Sequence, residues 1–199
     1  MANTNAPSGL TPVRHLAGGV IRTNAHQIAS ALASNIYRGS AVIPVNTTKR
    51  IDVAAAGNRV LGVFDGVSYI DSNGDVQIRP RWATGTAIKS GTVAEAQVYD
   101  DPLILFAAQM SGSAGAVATD IGNFADLVIG TGNANSGQSG DMIDQATLTS
   151  TVATGGQVRV DELLALEGNA FGQYAKVGVR FNEHYNLGST TAGNAVTCY

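Results

Sequence analysis

The side chains best suited to chemistry in this 199-residue chain are His15, His26 and His184, its three histidines, together with the acidic groups Asp100, Asp101 and Glu183. A histidine held by a carboxylate activates a serine, threonine or cysteine when its second ring nitrogen reaches the hydroxyl or thiol. The usual carrier of such a serine is Gly-x-Ser-x-Gly, and neither Ser113 nor Ser139 has both flanking glycines. No His-x-x-x-His pair exists to present two imidazoles to zinc from one helix face. The lone Cys198 excludes an intrachain disulfide framework and any multi-cysteine metal site. Asp71, Asn73 and Asp75 open like a calcium loop, yet Trp82 stands where the distal glutamate should close the coordination sphere. A hairpin turn explains the same three residues. In the Gly130 to Asn135 stretch the third glycine of a dinucleotide turn is replaced by Asn135, and no Gly-Lys-Ser or Gly-Lys-Thr supplies a phosphate loop. Asn46-Thr47-Thr48 matches a glycosylation acceptor, but nothing at the N-terminus reads as a secretory signal. The expectation is therefore no catalytic, metal-binding or cofactor-binding residue, and no enzymatic activity.

The elements that position these residues read as strands. Gly occupies 24 positions and Pro only 5, which suits short strands and tight turns better than long helices. Residues 40–45, 60–64 and 67–70 are short apolar runs. Asp71-Ser72-Asn73-Gly74-Asp75 then predicts a hairpin returning through Val76 and Ile78. Further strands are expected at 86–89, 94–99 and 103–110, the last apolar on both faces and so central. Residues 119–128 read as a turn followed by a strand, 130–140 as a loop, and 146–152 and 158–166 as strands. From Ala175 to Phe181 apolar residues alternate with Lys176, Gly178 and Arg180. Ahead of these, residues 1–19 carry turn formers without periodicity. Asn24 followed by Gln27, with Ile28, Leu32 and Ile36 on one face, predicts a short helix over 25–35. The organisation expected is an extended arm with a short helix at 1–37, a β domain at 38–185 and a flexible tail at 186–199. The fold class is mainly β, a sandwich or barrel that includes the jelly-roll arrangement, with the arm outside it.

Charged residues make up only 14% of the chain, where about 25% is usual. A weakly charged surface is easier to bury against neighbours, since an unpaired buried charge is costly. The charges are also segregated. No acidic residue precedes Asp52, while Arg14, Arg22, Arg38, Lys49 and Arg50 do; between Glu95 and Glu167 the acidic residues face only Arg159. Complementary segments of this kind steer association, either within one chain or between chains. The basic residues are dispersed and lack interleaved aromatics, so nucleic acid is not an expected partner. No run approaches the ~20 apolar residues of a membrane span.

The opening Met1-Ala2-Asn3-Thr4 with Pro7, Gly9-Leu10 and Pro12-Val13-Arg14, then Tyr37-Arg38-Gly39 and Asn58 to Gly66, resembles a group of tailed-bacteriophage virion proteins. Tyr99-Asp100-Asp101-Pro102 and Phe181-Asn182-Glu183-His184 continue the likeness over most of the chain. Within that group, Leu61-Gly62-Val63 is most similar to the β-domain pattern of head decoration, or cement, proteins. The resemblance implies a capsid-surface protein made in the host cytoplasm, with the major capsid protein and copies of itself, often three, as partners. It implies contact with the shell or a neighbour through the N-terminal segment, at Pro7, Leu10, Pro12, Val13, Arg14, Arg22 and Arg38. Other readings are a connector, tail or fibre position in the virion, or a carbohydrate-binding β-sandwich using Trp82 and the tyrosines.

Overall fold

The computed structural model describes residues 3–112, 114–151 and 155–187. Ser113, Val152, Cys198 and all but the first two residues of the expected C-terminal tail lie outside them. The chain is mainly β. In order, the strands are β1 (Thr11–His15), β2 (Asn24–Ile28), β3 (Ile36–Tyr37), β4 (Ala41–Pro44), β5 (Ile51–Val53), β6 (Gly62–Ile70), β7 (Val76–Arg79) and β8 (Arg81–Trp82). There follow β9 (Ala94–Tyr99), β10 (Ile104–Ser111), β11 (Phe124–Ala125), β12 (Leu127–Val128), β13 (Met142–Asp144), β14 (Val158–Leu163) and β15 (Lys176–Phe181). Two single turns of 3₁₀ helix, Ala118–Asp120 and Gln145–Thr147, are the only helical elements among the described residues. Among the described residues no helix is long and apolar enough to cross a membrane.

One sheet closes on itself. Its order is β4-β5-β2-β9-β6-β7, and β4 also pairs with β6, so β4, β5, β2, β9 and β6 form a small barrel from which β7 projects. The second sheet runs β11-β14-β15-β10-β13-β12, with β1 added along the first half of β10. Strand alternation builds a core on each side of the barrel wall. Val42 and Phe64 point into the barrel with Ile28, Ile36, Ile51 and Trp82. Their neighbours Ala41 and Val63 point outward, onto Phe106, Val179 and Phe181 of the second sheet. β10 is buried on both faces: Ile104, Phe106, Ala108 and Met110 join that core while Leu105 and Gln109 are covered from outside.

Two expectations for the N-terminal segment are corrected. Residues 25–35 do not form a helix: 24–28 are β2, and Ala31 turns the chain with φ of 56°. Asn24 hydrogen-bonds Asp100 instead of capping, and an Ala- and Ser-diluted apolar stripe cannot outweigh the ladder that β2 makes between β9 and β5. Nor does the segment lie outside the β body, because β1 and β2 are strands of the two sheets. Ahead of β1, Gln109 donates to Asn5 Oδ1 (2.8 Å) and accepts from the Ala6 amide (2.9 Å), and Leu10 N donates to the Gly39 carbonyl (2.9 Å).

The hairpin at 71–75, the strand at 94–99, the central position of β10 and the alternation of β15 agree with the sequence reading. At 86–89 only Ile88 bridges, to Asp71, and 145–147 is a 3₁₀ turn followed by a bridge from Thr149 to Phe124.

Candidate functional site

The three histidines, separated by up to 169 positions, meet at the corner formed by Tyr99-Asp100-Asp101-Pro102. β1 delivers His15, whose Nε2 lies 3.0 Å from Asp101 Oδ2; β2 delivers His26, whose Nε2 lies 2.9 Å from Asp100 Oδ2. Asn24 donates to the other oxygen of Asp100 at 2.7 Å. The Leu103 amide, helped by the His15 ring, holds the Asp101 carboxyl below its usual range. His184 follows β15 and is buried, its Nδ1 accepting the Asn186 amide at 3.0 Å.

Three of the segments that carried the resemblance, those around Val60, Asp100 and Glu183, converge on this corner. Val60 N donates to the Glu183 carbonyl (2.9 Å) and Tyr185 N to the Val60 carbonyl (3.0 Å), so residues 58–61 and 183–185 form one short bridge. Arg59 closes it, donating to the carbonyls of His184 (3.0 Å) and Leu187 (2.8 Å) with its guanidinium over the Tyr185 ring. Asn186 Nδ2 reaches the Asp100 carbonyl at 3.2 Å. Burial raises the Glu183 carboxyl, with the Asp126 charge adding to the rise. Gly62 is required here because a Cβ would meet the carbonyl oxygen of Tyr99, a backbone atom that cannot step aside. Gly62→Ala is expected to cost about 1–3 kcal/mol through forced strand displacement, read as a lower urea midpoint.

Chemically the corner is a set of fasteners. His15 Nδ1 accepts the amides of Ala17 and Gly19, both at 3.2 Å, which makes Nε2 the protonated nitrogen that donates to Asp101. Both ring nitrogens are thereby used. Nε2 of His184 is buried without a hydrogen-bond partner, next to the Leu61 backbone. Among the described residues none of the three rings holds a hydroxyl or thiol, and no group of His, Cys, Asp and Glu has the arrangement to bind a metal ion. The 130–135 loop is organised by Asn133, whose Oδ1 accepts the Asn135 and Ser136 amides, with Gly132 packed on Tyr37. Asp71 spends its oxygens on the amides of Asn73 and Asp75 and on Gln77, as a hairpin turn requires.

The residues expected to contact a partner fall in different places. Leu10 is 2% exposed and belongs to the core, which withdraws it from any surface contact. Arg14 pairs with Glu162 at 3.0 Å and Arg38 with Asp65 at 2.8 Å, so these two arginines are neutralised within the chain. Pro7 and Pro12 are half-buried, whereas Val13 and Arg22 are exposed. Val13, Leu16 and Leu103 line the outer side of the β1–β10 edge, where Leu16 N donates to the Leu103 carbonyl, and Val20 is exposed beyond it.

A second polar cluster had no counterpart in the sequence reading. Asp141 is buried between barrel and sheet, accepting the amides of Gly130 (3.1 Å) and Ala41 (3.3 Å), while its own amide donates to Ser139 Oγ (3.1 Å). Burial pushes its carboxyl up to about 6, against these hydrogen bonds. Burial pushes His184 the other way, below its usual 6.5, against the attraction of Asp100. The two act oppositely on stability. Folded Asp141 keeps a proton that the unfolded chain loses near 3.8, so its contribution is full below 3.8 and lost as pH rises through about 6. Folded His184 resists a proton that the unfolded chain takes near 6.5, so its contribution is full above 6.5 and lost as pH falls through the lowered value. Between pH 7 and 5, His184→Gln is therefore expected to gain stability relative to wild type on acidification, and Asp141→Asn to lose it. Urea unfolding at the two pH values checks both signs.

No protein-family model, no curated protein and no solved structure matches this chain.

Proposed function

We propose that this chain is a non-enzymatic structural protein that decorates and stabilises a tailed-phage capsid by binding the junctions between coat subunits. The observation that carries the reading is the outer edge of β1. Val13, Leu16 and Leu103 stand exposed there, Val20 beyond them, and Arg22 makes no ion pair among the described residues. Apolar side chains exposed on and just beyond an edge strand, as Val13 is on β1 and Leu16, Val20 and Leu103 are beside it, are suited to cover by another protein. This edge belongs to the N-terminal segment through which the resemblance implies shell contact. Summed over a shell, many moderate contacts of this kind hold strongly without any one being tight.

Mass spectrometry of purified particles tests the reading. A ratio to the major capsid protein that is a simple lattice fraction supports decoration. A few copies per particle transfer the chain to a connector, tail or fibre position, and absence from particles removes the virion reading.

A further inference from the structure

Among the described residues β7 is the outermost strand of its sheet and pairs only with β6. The turn before it determines which backbone groups face outward. Gly74 N donates to the Asp71 carbonyl (3.0 Å) and Asp71 N to the Asp75 carbonyl (2.9 Å), with Gly74 at φ 99°, so Asp71 and Asp75 head the ladder as a hydrogen-bonded pair. Antiparallel alternation then turns the amides of Gln77 and Arg79 toward β6 and those of Val76 and Ile78 away from it. Ile70, opposite Val76, keeps the same parity: its carbonyl accepts from Lys89 N instead of β7. The side chains of the outward residues are bare as well, Val76 being 71% and Ile78 80% exposed. Unpaired amides beside exposed β-branched side chains make a template for a further strand.

We propose that the occupant is β7 of a second copy, paired antiparallel across a two-fold axis at Gln77. The register follows from the backbone. An axis at Ile78 would set Val76 against Pro80, which has no N–H, and an axis at Val76 would run Ile78 into the Gly74 turn. An axis at Gln77 places Val76 opposite Ile78 of the second copy, twice by symmetry, each pair exchanging both backbone hydrogen bonds and stacking two β-branched side chains. The same register sets Asp75 opposite Arg79 of the second copy. Among the described residues neither makes an ion pair within its own chain, and Arg79 reaches only its own Gln77, at 3.2 and 2.9 Å. The edge is thus complementary to itself in hydrogen bonding, apolar contact and charge. The pairing does not rest on attachment to a shell, and the isolated chain is enough to test it.

Sedimentation velocity of the full chain is expected to show a concentration-dependent dimer. Asp75→Arg and Arg79→Asp each place like charges opposite one another and are expected to weaken the dimer about tenfold or more. Mixing the two variants restores opposite charges at both positions and is expected to restore the dimer as a heterodimer, which also shows that each variant is folded. In a Cys198→Ser background, Gln77→Cys is expected to give a disulfide-linked dimer on mild oxidation, since residues on the axis face one another within disulfide reach. A wild-type chain that stays monomeric at hundreds of micromolar overturns the proposal. So does a dimer indifferent to both charge variants, a mixture that fails to recover, or a dimer that Gln77→Cys does not cross-link.

Discussion

A chain lacking residues 1–37 is expected not to fold, although the sequence reading made that segment a detachable arm. β2 closes the barrel between β5 and β9, and β1 covers the first half of β10. Without β2, residues 94–98 lose one of their two ladder partners, keeping only β6, and the barrel interior opens to water. Leu10, Ile28 and Ile36 are also lost, each no more than 2% exposed. Truncating one such side chain to alanine costs about 2–5 kcal/mol. Three losses of that size, together with two strand ladders, exceed what a domain with ~5–15 kcal/mol of total stability can absorb. Circular dichroism and urea unfolding of the 38–199 fragment check this, and a cooperatively folding fragment would refute it. Removing residues 1–6 alone should be mild. It leaves every strand intact and deprives Gln109 of Asn5 and the Ala6 amide, at about 1–3 kcal/mol.

Gln157→Ala is expected to be the most damaging single substitution considered, lowering stability by roughly 3–5 kcal/mol. Gln157 is fully buried, and its side-chain amide serves backbone groups on two separate segments. Nε2 donates to the carbonyls of Ala55 (3.0 Å) and Asn58 (2.6 Å), and Oε1 accepts the Leu127 amide (2.9 Å). Truncation takes the side-chain partner from the Asn58 carbonyl and the Leu127 amide, leaves the Ala55 carbonyl with only the Asn58 amide (3.2 Å), and opens a cavity where the side chain was. Gln157→Glu tests the same geometry more finely, since it keeps the shape but loses the Nε2 donor, placing an acceptor against two carbonyls. Both variants should lower the urea midpoint while leaving the m-value near that of wild type. Retention of the wild-type midpoint by Gln157→Ala would show that the 55–58 loop finds other partners.

The barrel corner illustrates why sequence alone read the histidines as isolated. His15 and Asp101 are 86 positions apart and His26 and Asp100 are 74 apart, and no local pattern links them. They meet because β1 docks on β10 and β2 on β9, and Asp100-Asp101 is the turn joining β9 to β10. Asp141 and Gln157 were invisible for a related reason. Each is a polar residue beside a strand, where exposure is the ordinary expectation, and only the packing of barrel against sheet buries it.

The predicted helix failed through competition between local and long-range order. Ile28, Leu32 and Ile36 do share a helical spacing, and two of the three are buried in the barrel, yet they reach it from a strand, a turn and a second short strand. A stripe of three residues is weak support for a helix against a pairing that satisfies the backbone over five residues of β9.

By itself the sequence determined what depends on near neighbours: the β class, the 71–75 hairpin, the two-sided burial of β10, and the alternation of β15. Each rests on side-chain periodicity or turn chemistry within a few residues. Tertiary structure alone decided which strands pair, that β4 joins β6 to close a barrel, that the N-terminal segment is built into both sheets, and that three distant histidines share one corner. Those outcomes depend on burying two cores at once and on satisfying backbone groups across separations of a hundred residues, and such conditions leave no mark on any local stretch of chain.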